Sequence, residues 1–166
     1  MFTTGWSAIC RAAAAGDAEQ VQELVSKDPT LVHTFSHDGW TPLHLAAHFG
    51  HVEAAQVLIA HGADVHVRAR NSLGSTPLLW AVVGGNLNTV VLLLMHAADV
   101  NETSTAGSSP LHKAAVLGNV AVARVLVAHG ADVNARNSGG QTPLTHAIFN
   151  HHEDVALLLQ EHAGRE

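Results

Sequence analysis

Thr41-Pro42-Leu43-His44-Leu45-Ala46-Ala47 returns along the chain as Thr76-Pro77-Leu78, Ser109-Pro110-Leu111-His112 and Thr142-Pro143-Leu144, with a degenerate copy starting at Ser7. Successive starts are 34, 35, 33 and 33 residues apart. A period of that size marks a stack of repeated units rather than one closed core. The chemistry of the stretch explains its recurrence. A Thr or Ser hydroxyl accepts from an orphan amide of the first helical turn, and Pro at the next position has its φ preset and no N–H to leave unpaired. Each Thr-Pro therefore opens a helix. Leu43 points inward, Ala46 and Ala47 let a second helix lie close, and Gly50, Gly85 and Gly118 end their helices after about ten residues.

Outward from these starts, the second helix of the 41–75 unit is expected over about 52–61, with Gly62 closing it in the left-handed conformation, as Gly130 does later. Ala97 stands at the equivalent place, a substitution costing roughly 1 kcal/mol if the left-handed geometry is kept. Near the N-terminus, helices are expected over 7–15 and 18–26, the second carrying Val21, Leu24 and Val25 at helical spacing and stopped by Asp28-Pro29. The segment 65–75 is two residues longer than its counterparts, which predicts Arg68, Arg70 and Leu73 further into solvent.

Residues 41–63, TPLHLAAHFGHVEAAQVLIAHGA, and 109–134, SPLHKAAVLGNVAVARVLVAHGADVN, resemble the ankyrin repeat at nearly every framework position. The resemblance covers essentially the whole chain. It implies an all-α solenoid of five L-shaped units, each with two antiparallel helices followed by a short β-hairpin or loop finger. The units are expected at 1–40 (N-terminal cap), 41–75, 76–108, 109–141 and 142–166 (C-terminal cap). Polar residues cover the outer side of each cap, Gln20, Gln22, Glu23 and Lys27 at one end and His152, Glu153, Asp154, Gln160 and Glu161 at the other. The resemblance also implies that partners are met by finger residues just before each Thr-Pro and by the end of each first helix. Carried onto this chain, that surface comprises His37, Asp38, Trp40, His48 and Phe49, then Leu73 and Trp80, then Val116 and Leu117, then Gln141, Phe149 and Asn150. Large apolar groups gathered on a surface, Trp above all, mark interaction sites. The expected function is a non-enzymatic module binding a protein partner on its concave face and fingers.

Composition narrows the alternatives. The chain has 166 residues, 47% apolar and 13% charged, enough to bury a continuous core of Ala, Val and Leu. A net charge of -6 with no basic stripe argues against nucleic acid. No apolar run is long enough to span a bilayer. Cys10 is the only cysteine, so no internal disulfide is possible, and the first fifteen residues lack a basic n-region; a cytoplasmic monomer is expected. No Gly-rich phosphate loop, CxxC, HExxH or GxSxG string occurs, so no catalytic residue and no cofactor are assigned.

The fourteen histidines are the compositional oddity. His44 and His112 share the fourth motif position, and His61, His96, His129 and His162 recur late in the second helices. His44 and His48 sit at i and i+4, and His151 and His152 are adjacent, yet no Cys or carboxylate joins them at ligand spacing, so no metal site is assigned. Full protonation would carry the net charge from -6 to +8, which predicts early acid melting. A self-associating or His-based metal- or pH-responsive protein is the alternative reading.

Overall fold

The computed structural model describes residues 7–163. Residues 1–6 and 164–166, assigned above to the two terminal units, lie outside the described residues. Ten α-helices follow in chain order: α1 (Ala8–Ala15), α2 (Ala18–Lys27), α3 (Pro42–Phe49), α4 (Val52–Ala60), α5 (Pro77–Val83), α6 (Leu87–Met95), α7 (Pro110–Leu117), α8 (Val120–Ala128), α9 (Pro143–Phe149) and α10 (Glu153–Ala163). A 3₁₀ turn, Pro29–His33, follows α2.

Each Thr-Pro or Ser-Pro starts a helix. The hydroxyls of Thr41, Thr76, Ser109 and Thr142 accept from the amide three residues on, at 3.2–3.4 Å. Ser7 occupies the same place before α1 without a side-chain cap bond. Gly50 and Gly118 close α3 and α7 with φ of 79° and 68°. In the 76–108 unit Gly85 makes the same left-handed turn at φ 72°, with a second glycine, Gly84, before it at φ -72°. After α9 the same place is held by His151 at φ 59°.

First helices pack on first helices and second on second. α1, α3, α5, α7 and α9 form one layer, and α2, α4, α6, α8 and α10 the other. Small residues make this possible: Ala46, Ala47, Ala81, Ala114 and Ala115 are wholly buried between neighbours, as are Leu43, Leu58, Leu93, Leu111 and Leu126. The eleventh motif position adds a polar bolt between units. His51 Nε2–H donates to the Ala14 carbonyl and His152 Nε2–H to the Val116 carbonyl, each at 3.0 Å, while the Asn86 amide donates to the carbonyls of Ala47 and His48. Each of these saves carbonyls at a helix end from going unpaired.

The fingers are turns, and no strand occurs among the described residues. Each is closed at its base by one backbone bond, Ser36 to Trp40, Ala69 to Ser75, Ser104 to Ser108 and Asn137 to Gln141, at 2.7–3.0 Å. They are also tied to one another. The amides of Arg70, Thr105 and Ser138 donate to the carbonyls of Gly39, Leu73 and Ala106 at 2.8–3.1 Å.

At the far end of the stack the polar covering is incomplete. Glu153, Asp154, Gln160 and Glu161 are exposed as expected, but His152 turns inward to Val116. Ile148 is 56% exposed at the motif position where Ala47, Val82 and Ala115 are wholly covered by the next helical pair.

Candidate functional site

Trp40 ends the first finger. Its carbonyl accepts from the Ser36 amide at 2.7 Å and its own amide donates to Ser36 Oγ at 3.1 Å, which fixes the indole beside the start of α3. Trp80 sits at the middle of α5, in the 76–108 unit. The two indoles stack, with centroids 4.2 Å apart and planes 14° apart. His48, in the last turn of α3, stacks on Trp80 at 4.7 Å, and Phe49 meets His48 edge-on at 5.0 Å. Trp40, Trp80, His48 and Phe49 therefore form one continuous run of rings drawn from three successive units. Both Trp residues are half-buried, neither core nor free, and Phe49 is 49% exposed. Such a run presents a large apolar area that is already ordered.

Gly84 permits this contact. A Cβ at Gly84 would collide with the carbonyl of His48, so the end of α3 and the end of α5 approach as closely as backbone allows. That approach sets the imidazole of His48 on the indole of Trp80.

The remaining expected contact residues are dispersed along the same layer. His37 and Asp38 are exposed at the tip of the first finger, with Nδ1 and Oδ1 3.7 Å apart. Leu73 is 46% exposed at the tip of the second finger. On α7, Leu117 is exposed and Val116 half-buried. Gln141 is exposed, and its carbonyl accepts from His112 Nε2–H at 3.0 Å. Phe149 is 79% exposed but makes no ring contact among the described residues. The Asn150 amide turns back on its own helix, donating to the His146 carbonyl at 2.8 Å, so it acts as a helix ending.

The longer second finger does not project freely. Arg68 donates to the carbonyls of Gly74 and Thr103 and pairs with Glu102 at 3.0 Å, and the Arg70 guanidinium lies over the Phe35 ring at 4.0 Å. Asn71 donates to the Asp38 carbonyl, and Thr105 Oγ1 to that of Ser72. Extra loop length is absorbed by ties to both neighbours, leaving Leu73 as the large apolar group that emerges.

The histidines divide by motif position. In His44, Nδ1 accepts from the Thr41 amide at 3.3 Å and Nε2–H donates to the Ser75 carbonyl at 2.8 Å, which ties the start of α3 to the end of the finger that follows in the same unit. His112 repeats the arrangement with Ser109 and Gln141. Both nitrogens are engaged only in the neutral ring, and burial holds His44 down to about 4. His61, His129 and His162 each donate from Nδ1 to the carbonyl four residues back, at 2.8 Å. His112 and His146 meet edge-to-face at 5.8 Å, and both are held below the ordinary imidazole range, by burial first and by the Lys113 ammonium as well. Lys113 and His146 were not singled out from the sequence. The signal was the fifth motif position, occupied by Arg11, Leu45, Trp80, Lys113 and His146 in successive units.

Other chemistry finds little footing. Cys10 is wholly buried, and burial pushes its thiol up, away from the reactive thiolate. Among the described residues, no group of three or more His, Cys, Asp or Glu side chains is gathered as a metal site would require. No helix is long and apolar enough to cross a membrane among the described residues.

Comparison with known proteins agrees with the geometry. The family description "Ankyrin repeats (3 copies)" matches residues 9–104, and "Ankyrin repeats (many copies)" matches residues 111–160. Among similar proteins, SMC5-SMC6 complex localization factor protein 1 of Bos taurus is 38% identical over 78 residues, 47% of this chain and 7% of that protein. The 2-5A-dependent ribonuclease of Mus musculus is 39% identical over 75 residues, 45% of this chain and 10% of that protein. Ankyrin repeat domain-containing protein 49 of Bos taurus is 54% identical over 46 residues, 28% of this chain and 19% of that protein. The chain thus matches less than a fifth of the length of each of these relatives, and what they share with it is the repeat. With two family matches over nearly its whole length, helical pairs joined by turns and a His that ties each motif to the finger that follows it in two of the units, the chain belongs to the ankyrin-repeat family.

Proposed function

We propose that this chain binds a protein partner on the face made by its first helices and fingers, with Trp40, Trp80, His48 and Phe49 as the anchor. The observation that carries the reading is the indole stack, 4.2 Å between centroids, half-buried and flanked by an exposed phenylalanine. Ankyrin repeats are generally protein–protein interaction modules, and ankyrin-repeat domains are generally non-catalytic. The mechanism is preorganisation. The rings are fixed before a partner arrives, so little ordering entropy is lost on contact and more of the interaction appears as affinity. Leu73, Val116, Leu117 and Phe149 extend the apolar surface, and His37, Asp38 and Gln141 supply polar contacts at its edge. The proposal includes a cytoplasmic location, for which the support is the lone buried Cys10.

The test is a pull-down from lysate of the source organism with the wild type and a folded Trp40→Ala, Phe49→Ala, Trp80→Ala variant, compared by mass spectrometry. A protein retained by the wild type and lost from the variant supports the face. Equal recovery by both removes the assignment. Circular dichroism of the variant separates a lost surface from a lost fold.

A further inference from the structure

The fifth motif position runs as a row along α1, α3, α5, α7 and α9, holding Arg11, Leu45, Trp80, Lys113 and His146. These helices pack consecutively, so the row follows one face. Leu45 is buried, and Trp80 brings the row to the surface where Trp40 and His48 stack on it. One unit further the row holds Lys113, and in the unit after that His146, whose ring meets the buried His112 at 5.8 Å. The five first helices contain no Asp or Glu, although the chain has 14 acidic residues and a net charge of -6. Among the described residues those acids lie elsewhere, in the second helices, their flanks and the fingers. Lys113 makes no ion pair among the described residues, and the charged groups acting on His112 and His146 are all cationic. The one acid in a finger tip beside this face is Asp38, at the Trp40 end.

We infer that the face is built for an extended acidic peptide segment of a protein, whose bulky apolar side chain rests on the Trp40–Trp80 stack while its carboxylates meet Lys113 and His146. Charge complementarity selects this occupant: a net-acidic molecule has cleared one surface of carboxylates and placed the Lys113 ammonium there beside an aromatic platform, with the His146 imidazole one unit further as a neutral polar group. The geometry also sets spacing and direction. Packed helices lie about 9 Å apart, and an extended peptide advances about 3.3 Å per residue, so anchor and carboxylate are about three residues apart. The acidic end points away from Asp38. A nucleic acid is a poorer fit, because a single Lys beside one surface imidazole makes no phosphate-tracking stripe.

This inference rests on the proposed binding face, and the experiment separates the two. A phage library of random twelve-residue peptides is selected on the folded chain. Enriched peptides are then titrated by fluorescence anisotropy against the wild type, Lys113→Met, Lys113→Glu and Trp40→Ala/Trp80→Ala, with a labelled oligouridine as a parallel probe. Expected is enrichment of Trp, Phe or Leu with Asp or Glu two to four positions away. Lys113→Glu should weaken binding by about tenfold or more and Lys113→Met by less, with the wild-type affinity falling as salt rises. Enrichment without acidic residues, equal binding by Lys113→Glu, no enrichment, or Lys113-dependent binding of oligouridine alone overturns the acidic-segment inference. If enriched peptides also bind Trp40→Ala/Trp80→Ala unchanged, the binding face itself is wrong.

Discussion

Ala97 holds φ at 63° after α6, where Gly62 and Gly130 hold 90° and 86° at the equivalent turns. A Cβ built at either glycine meets nothing within 4 Å, so the cost at this place is backbone strain rather than crowding. In the left-handed region a Cβ lies too near its own carbonyl, a penalty of roughly 1–2 kcal/mol, partly offset by the freedom glycine loses on folding. Ala97→Gly should therefore raise unfolding free energy by about 0.5–1 kcal/mol, and Gly130→Ala should lower it by a similar amount. Urea denaturation of both variants against wild type checks the pair. No change in either would mean the turn relaxes at no cost.

Between elements, the close contact of α3 with α5 is the most demanding feature of the stack. Gly84→Ala puts a methyl group against the His48 carbonyl, which also accepts from Asn86. The helices must separate, at a cost of about 1–3 kcal/mol, and His48 should leave Trp80. Near-ultraviolet circular dichroism, which reports the indole environment, should change in this variant even where it remains folded; an unchanged spectrum would show that the ring stack does not depend on this approach. Much at this scale was legible in the sequence. Thr-Pro starts, left-handed glycine ends and the Ala-rich layer follow from rules acting over four residues, and every first helix except α1 begins at its Pro. Gly85 turns left-handed as the sequence suggests, but the need for Gly84 was not legible, because only a neighbouring carbonyl requires it. The Trp40–Trp80 stack lay beyond local rules too, since residues forty apart meet only through packing between units. Arg68 and Arg70 are exposed as the sequence suggests, but their ties to Glu102, Thr103 and Phe35 were not legible, for the same reason. The polarity of the final unit was overstated, because Ile148 and the inward turn of His152 belong to an interface that charge counting does not see.

For the molecule as a whole, fourteen histidines do not titrate as one population. His44 stays neutral in the fold down to about 4, whereas an unfolded imidazole protonates near 6.5. Between those values the unfolded chain binds a proton that the folded chain refuses, so stability is full above about pH 6.5, falls with falling pH and levels off below about pH 4. At pH 5 the loss from His44 alone is about 2 kcal/mol relative to pH 7.5, and His112 and His146 add in the same direction. Urea midpoints at pH 7.5 and pH 5 should differ accordingly. His44→Leu, which installs the residue type found at Leu79, should reduce the difference while lowering stability at pH 7.5, because the Ser75 carbonyl loses its donor. Equal midpoints for the wild type at the two pH values would refute this account.

The exposed Ile148 has a consequence for how such a molecule changes its size. Its side chain stands in the same register as the residues that close each internal interface, so the last described pair presents a surface of the kind already filled four times within the chain. Length is therefore a free variable of this architecture, as layer number is in a crystal: a duplicated helical pair meets a matching face without any redesign of a core. The row through Trp80, Lys113 and His146 would lengthen with it, one side chain per pair. Growth by duplication thus adds recognition in fixed increments of about three ligand residues, and the vocabulary of the surface expands without its grammar changing.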